Sequence, residues 1–239
     1  MPAEPHLHPG HNLPSSLSTP DAALRRRARA LAATAGALSS VVFTNTGSEA
    51  VHLAARIARA ATGRSLIAKM AAGYDGWYED VTFGQAGSPE ALMRANSRPR
   101  RERTLLLRYN DPDDVERLFA ECQDIAAVLL EPMLANAGCV AAAPGYLAHL
   151  AAVARRHGAL VIADEVLTGY RLRPGLASQG MGLEPDLATV GKAIGSGFAV
   201  AAVLGRPEIM RAAEGAGVRA GTYSGNPVAT AAVTATLAA

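Results

Sequence analysis

An α/β fold, with a mostly parallel sheet sandwiched by helices, is predicted by three features of the chain. Short β-branched or leucine-rich runs alternate with stretches of helix length, the pattern of strands joined by helical crossovers. Several of the helical stretches open on Pro or on a capping polar residue, as helix N-termini prefer. Polar, Gly-containing motifs follow directly on apolar runs, where open α/β sheets bind ligands at the carboxyl ends of their strands.

The elements follow in order. Residues 1–20 are rich in Pro, His and Ser and read as a flexible arm, leaving 21–239 as one large domain. Asp21–Ala35 is the first predicted helix. Val41–Thr44 is a strand, and Ser48–Thr62 a helix that Gly63 should stop. Strands are expected at Leu66–Met70 and Thr104–Leu107, then a helix at Pro112–Cys122 and a strand at Ile125–Leu130. The helix Pro144–His157 should end at Gly158 and lead into the strand Ala159–Ala163. Strands at Leu187–Val190 and Val200–Leu204 precede helices at Pro207–Glu214 and Pro227–Ala239. The last helix runs to the terminus without a stop signal, so the chain reads as interrupted there. There is no internal repeat and no linker to a second domain.

Composition narrows the function classes. At 239 residues the chain can bury roughly 70–75% of its unfolded surface. A net charge of +2 makes no case for nucleic acid or a membrane surface. The clusters Arg25, Arg26, Arg27, Arg29 and Arg98, Arg100, Arg101, Arg103 lack interleaved aromatics and read as solvated faces or subunit contacts. Cys122 and Cys139 are too few for a disulfide framework, which fits a reducing cytoplasm. No charge-free apolar run reaches the ~18 residues of a membrane span. His6, His8 and His11 lie in the arm, where nothing orders a metal site.

The residue that stands out is Lys192. The chain has two lysines, and in residues 185–205 only Asp186 and Lys192 are ionisable. An amine buried among apolar and glycine residues should lose its proton and turn nucleophilic, as a Schiff-base lysine must. The alternative is a lysine snorkelling from a strand end. Three other motifs bear on the choice. FTNTGSEA (43–50) carries a strand through a turn into a helix start, an anion site suited to phosphate or an ordinary cap. LVIADEVLTGYR (160–171) places Asp164 and Glu165 directly after an apolar strand. AGTYSGNPVA (220–229) holds a Gly-flanked Thr222 before a helix. A phosphate-ready turn, a strand-end aspartate and an isolated lysine 28 residues later are what pyridoxal 5'-phosphate (PLP) requires.

These stretches, with YDGWYED (74–80), LLEPMLANAG (129–138) and PDLATVGKAIGSGFAVAAVLG (185–205), resemble the class III aminotransferases of fold type I. The likeness runs from about Ser39 to Ala239 and is greatest to glutamate-1-semialdehyde aminomutase-like members. It implies the large PLP-binding domain of such an enzyme, with the small C-terminal domain missing. By resemblance Lys192 carries the cofactor and shuttles a proton, and Asp164 pairs with the pyridinium nitrogen. Val166 and Tyr74 cover the two ring faces, and Thr46, Gly47 and Ser48 hold the phosphate. Asn136 approaches the phenolic oxygen, and Glu131 has a supporting role. Thr222 reaches the phosphate of the neighbouring subunit of a homodimer. Tyr74 and Trp77, on the residues alone, could equally be core aromatics.

The chain departs from the family pattern in three ways. Tyr74 is followed by Asp75 where His is common, and Asp75 is expected to face away from the phosphate. Val218 and Arg219 stand where aminomutases usually carry Tyr-Gln, which favours a transaminase. Segments are missing at both ends, so apolar docking faces should be exposed. The implied activity is transfer of an amino group between a small-molecule donor and a keto or aldehyde acceptor. The alternatives are an aminomutase and a non-catalytic PLP-binding remnant.

Overall fold

The computed structural model describes residues 22–92, 98–218 and 220–239. The arm with its three histidines, Asp21 and Arg219 lie outside the described residues. In chain order the elements begin with α1 (Ala22–Ala32), β1 (Ser40–Thr44), α2 (Gly47–Thr62), β2 (Leu66–Met70) and α3 (Glu79–Thr82). Then come β3 (Arg100–Arg101), β4 (Thr104–Leu107), α4 (Pro112–Glu121), β5 (Ile125–Leu130), β6 (Met133–Leu134) and β7 (Val140–Ala141). The chain ends with α5 (Tyr146–Arg156), β8 (Leu160–Glu165), α6 (Ala177–Gly180), β9 (Leu187–Val190), β10 (Ala201–Gly205), α7 (Pro207–Gly215) and α8 (Pro227–Ala238).

The main sheet has the order β1-β10-β9-β8-β5-β2-β4-β3. Its central strands β9, β8, β5, β2 and β4 are parallel, and β10 runs antiparallel to both β9 and β1. The expected α/β class is therefore borne out. Side chains alternate between two cores, as the period of a strand demands. Val128 and Leu130 of β5 face the core that holds Leu31 and Leu150. Leu129 of the same strand faces the core that holds Leu53 and Ile57 of α2. Each fully buried Leu, Ile or Val contributes roughly 1.5–3 kcal/mol.

Several expected boundaries are corrected. The first helix stops at Ala32 rather than Ala35, because the Thr34 and Ala35 N–H groups bond back only three residues, to Leu31 and Ala32, and so leave the α ladder. The helix expected from Pro144 starts at Tyr146, since Gly145 sits at φ +80°. The strand expected to end at Ala163 continues to Glu165, because Asp164 and Glu165 pair in register with Thr189 and Val190. The β3, α3 and α6 elements are too short to leave a periodic trace in the sequence. Among the described residues no helix is long and apolar enough to cross a membrane.

Candidate active site

A cavity of about 330 Å³ opens where β8, β9 and the start of α2 meet. Its lining includes Thr46, Gly47, Ser48, Tyr74, Asp75 and Glu131. Asn136, Asp164, Val166 and Lys192 complete the sequence-predicted set there. Thr222 is not among them: it is exposed in the turn before α8.

Asp164 reaches the cavity because the alternation of β8 places it on the face of Ile162, the face packed on α2. Its Oδ1 accepts from the Val166 N–H at 3.0 Å and the Thr189 hydroxyl at 2.9 Å. Its Oδ2 takes no hydrogen bond among the described residues. One oxygen is thus fixed and the other free to meet a donor. Burial, with the nearby Asp75 charge, pushes the Asp164 carboxyl up to about 8. Glu165 points to the other face and accepts from the Ala177 and Ser178 N–H groups, so it fastens the 166–178 loop rather than facing the cavity.

The turn before α2 is both a cap and an anion site. Thr46 is the N-cap, and its hydroxyl accepts from the Glu49 N–H at 3.2 Å. The Glu49 carboxylate in return accepts from the N–H groups of Asn45 and Thr46, completing a capping box. The Gly47 and Ser48 N–H groups keep no partner among the described residues, as the first turn of a helix leaves them. Accepting that bond leaves the Thr46 O–H to donate, so the donors at this turn are the Thr46 hydroxyl and the N–H groups of Gly47 and Ser48. Gly47 must lack a side chain here, because a Cβ would lie 2.7 Å from a Val166 methyl.

Lys192 follows β9 in a short 3-10 turn and takes φ +41°, a conformation non-glycine residues rarely adopt. The burial expected for it is not found. Its side chain is exposed at the open cavity. The other lysine, Lys69, is the fully buried one. It is the fourth of the five residues of the strand LIAKM, an isolated charge in an apolar run like Lys192.

Tyr74 is 44% exposed and Trp77 is 70% exposed, so neither is a core aromatic. Glu131 accepts from the Tyr74 N–H at 3.0 Å and the Ala135 N–H at 3.3 Å, holding together the loops that carry Tyr74 and Asn136. Burial, then the Asp75 charge, pushes its carboxyl up to about 7. Asp75 lines the cavity yet turns one oxygen to Lys69, at 3.1 Å. Thr189 and Lys69 escaped the sequence reading. Nothing in the sequence marks Thr189, whose role depends on strand register alone.

The sequence matches the family model described as aminotransferase class-III over residues 15–239. It is 44% identical to a glutamate-1-semialdehyde 2,1-aminomutase of Syntrophomonas wolfei over 84% of this chain and 48% of that protein. It is 42% identical to one from Thermomicrobium roseum over 88% of this chain and 50% of that protein. The chain thus spans about half the length of these relatives. Among solved structures, one titled as a transaminase with PLP bound matches at TM-score 0.78 and 31% identity, covering 92% of this chain and 54% of that one. An (S)-enantioselective omega-transaminase from Thermomicrobium roseum matches at TM-score 0.79 and 28% identity, over 95% of this chain and 57% of that one. With the fold and the family model in agreement over nearly all of its length, the chain belongs to the class-III aminotransferases.

Proposed function

We propose that this chain forms the cofactor-binding part of a class III site, which with PLP bound would serve transfer of an amino group from a donor to a keto or aldehyde acceptor. One observation carries the reading. Lys192, the open oxygen of Asp164 and the unpartnered N–H groups of Gly47 and Ser48 converge on one cavity. They fit a flat ring with an aldehyde, a basic nitrogen and a phosphate. The missing Cβ of Gly47 lets the turn before α2 close onto Val166.

When bound, PLP supplies an electron sink for the charge left at the substrate carbon. The protein does the rest. Gly47, Ser48 and the α2 dipole hold the phosphate. Asp164 Oδ2 holds the proton on the ring nitrogen. Tyr74 and Val166 cover the ring faces and exclude water, and Asn136 serves the phenolic oxygen. Lys192 Nζ would hold the aldehyde end of the cofactor and supply the amine that moves a proton at the substrate carbon. Thr222, exposed here, is assigned to the phosphate of a second copy in a homodimer. Donor and acceptor use the same site in turn, which gives ping-pong kinetics.

A second reading, in which both halves run on one substrate, is supported by the names of the two relatives above. Against it, Val218 stands where the aminomutase pattern has Tyr. The test is to add PLP to the purified chain, reduce with borohydride and map the adduct by mass spectrometry. The adduct is expected at Lys192 and absent in Lys192→Ala; no adduct overturns the reading. Equal yields of keto product and aminated acceptor then mark a transferase, isomerisation of one substrate an aminomutase, and an adduct without either a binding remnant.

A further inference from the structure

The loop that follows β2 is held from beneath by one side chain. Lys69 shares a face of β2 with Ile67, the face packed on α2, and is fully buried. Its ammonium has three N–H donors to place. It donates to the carbonyls of Gly73 at 3.0 Å and Val81 at 2.8 Å, with that of Phe83 at 3.4 Å, and meets Asp75 Oδ2 at 3.1 Å. These partners come from both limbs of the 71–83 loop, so one charge ties its start to its end. The Ala72 N–H, which donates to the Gly84 carbonyl at 2.7 Å, closes the same base.

The consequence falls on one peptide group. The Gly73 carbonyl and the Tyr74 N–H belong to the same planar unit. Lys69 holds its oxygen end, and Glu131 Oε1 accepts from its N–H end at 3.0 Å. On the other side of Tyr74, the Asp75 carboxylate is held by the same ammonium. Tyr74 therefore stands between two fixed neighbours, while its own ring is exposed at the cavity and is not fixed by packing. The Gly73 backbone is hemmed in as well: a Cβ there would lie 3.1 Å from the Met70 carbonyl oxygen and 3.3 Å from Asp75 Oδ2.

We propose that Lys69 is a positioning residue for Tyr74: pinning the Gly73–Tyr74 peptide from its oxygen side, opposite Glu131, it fixes the backbone from which the Tyr74 ring covers the cofactor. Lys69 and Asp75 form a neutral pair, so the action is geometric. A buried ion pair is weak ground for stability, and an apolar residue at position 69 would simply extend the row of Ile67. Such a residue would fill the strand but leave the Gly73 carbonyl without its donor.

The inference rests on Tyr74 covering the ring, so its test begins without cofactor. Amide exchange followed by NMR in the full chain should show the Tyr74 N–H exchanging about tenfold faster or more in Lys69→Met/Asp75→Asn, with the amides of β5 and β8 unchanged. That variant removes both charges together and strands neither. Asp75→Asn alone keeps the ammonium on the Gly73 carbonyl and should leave the Tyr74 amide protected. With PLP, the double variant should bind roughly tenfold more weakly, the scale of one charge-assisted hydrogen bond. In a Tyr74→Ala background the same change should alter PLP affinity less than about threefold, because the residue being positioned is gone. A purely structural role would weaken binding equally in both backgrounds. Lys69→Gln/Asp75→Asn, which returns an uncharged donor, takes the place of the double variant if that one does not fold, with losses in the same direction. A Tyr74 amide that stays protected without Lys69, or equal losses of affinity in the two backgrounds, overturns the proposal. Absence of a PLP adduct in the unaltered chain overturns the reading beneath it, and the proposal with it, before any variant is made.

Discussion

Adding one methyl group at Gly47 tests how closely the phosphate turn and the ring-covering residue are fitted. Gly47 is the first residue of α2, and its Cβ would lie 2.7 and 2.9 Å from the two methyls of Val166. Carbon atoms prefer about 3.5–4.0 Å. Neither partner yields cheaply. Val166 is β-branched and stiff, and its N–H is tied to Asp164. The start of α2 is fixed by the capping box of Thr46 and Glu49. Overpacking of this kind costs about 1–3 kcal/mol, and replacing Gly by Ala in a helix returns roughly 0.5–1 kcal/mol. The two ranges leave a net loss of folding stability of about 0–2.5 kcal/mol, and the displaced turn weakens PLP binding as well. Fluorescence titration with PLP and thermal melting of the cofactor-free chain measure it. Val166→Ala in the Gly47→Ala background removes both methyls, and a double-mutant cycle should show coupling of about 1 kcal/mol or more. Wild-type affinity and stability in Gly47→Ala, or a cycle with no coupling, would refute this packing.

Two further perturbations act on the acids. Asp164→Asn should still give the Lys192 adduct but slow donor deamination roughly 10²–10³-fold, the scale of losing one preorganised electrostatic group; equal single-turnover rates would contradict its role. Glu131 sits above its ordinary value of 4.5, at about 7, in the folded chain. The native state therefore binds more protons than the unfolded state between those values, and stability is lost as pH rises through them. The whole span corresponds to about 3 kcal/mol. Urea melts of Glu131→Gln should show its stability relative to the unaltered chain rising between pH 4.5 and 7 and levelling above; a constant difference sinks the assignment.

The long elements were legible because their signals are local. Ser48 with Glu49 marks the start of α2 to within one residue, and Gly63 its end, at φ +69°. The apolar runs Leu66–Met70 and Ile125–Leu130 are strands with the limits read from sequence. Misjudged ends have a nonlocal cause: Asp164 and Glu165 look like loop residues until Thr189 and Val190 pair with them. The same register brings the Thr189 hydroxyl to Asp164. Lys69 and Lys192 present the same signal, an isolated lysine beside an apolar run. The structure buries one and exposes the other. Lys69 lies within a central strand under the 71–83 loop, whereas Lys192 stands in a turn beyond its strand.

By itself the sequence determined the α/β class, the strand–helix order and, through the family resemblance, the residues other than Thr222 that line one cavity. Hydrophobic period, caps and strand-end polarity are properties of neighbours along the chain, so they survive without coordinates. Only the tertiary structure decided how the charged groups of that cavity are buried and paired. It showed that Glu49 already occupies part of the phosphate turn, that Asp164 keeps one oxygen open, and that Lys69 and Asp75 join Glu131 and Asp164 in one buried layer. Desolvation and coulombic coupling depend on distances between segments far apart in sequence, and those are fixed only when the strands take their register.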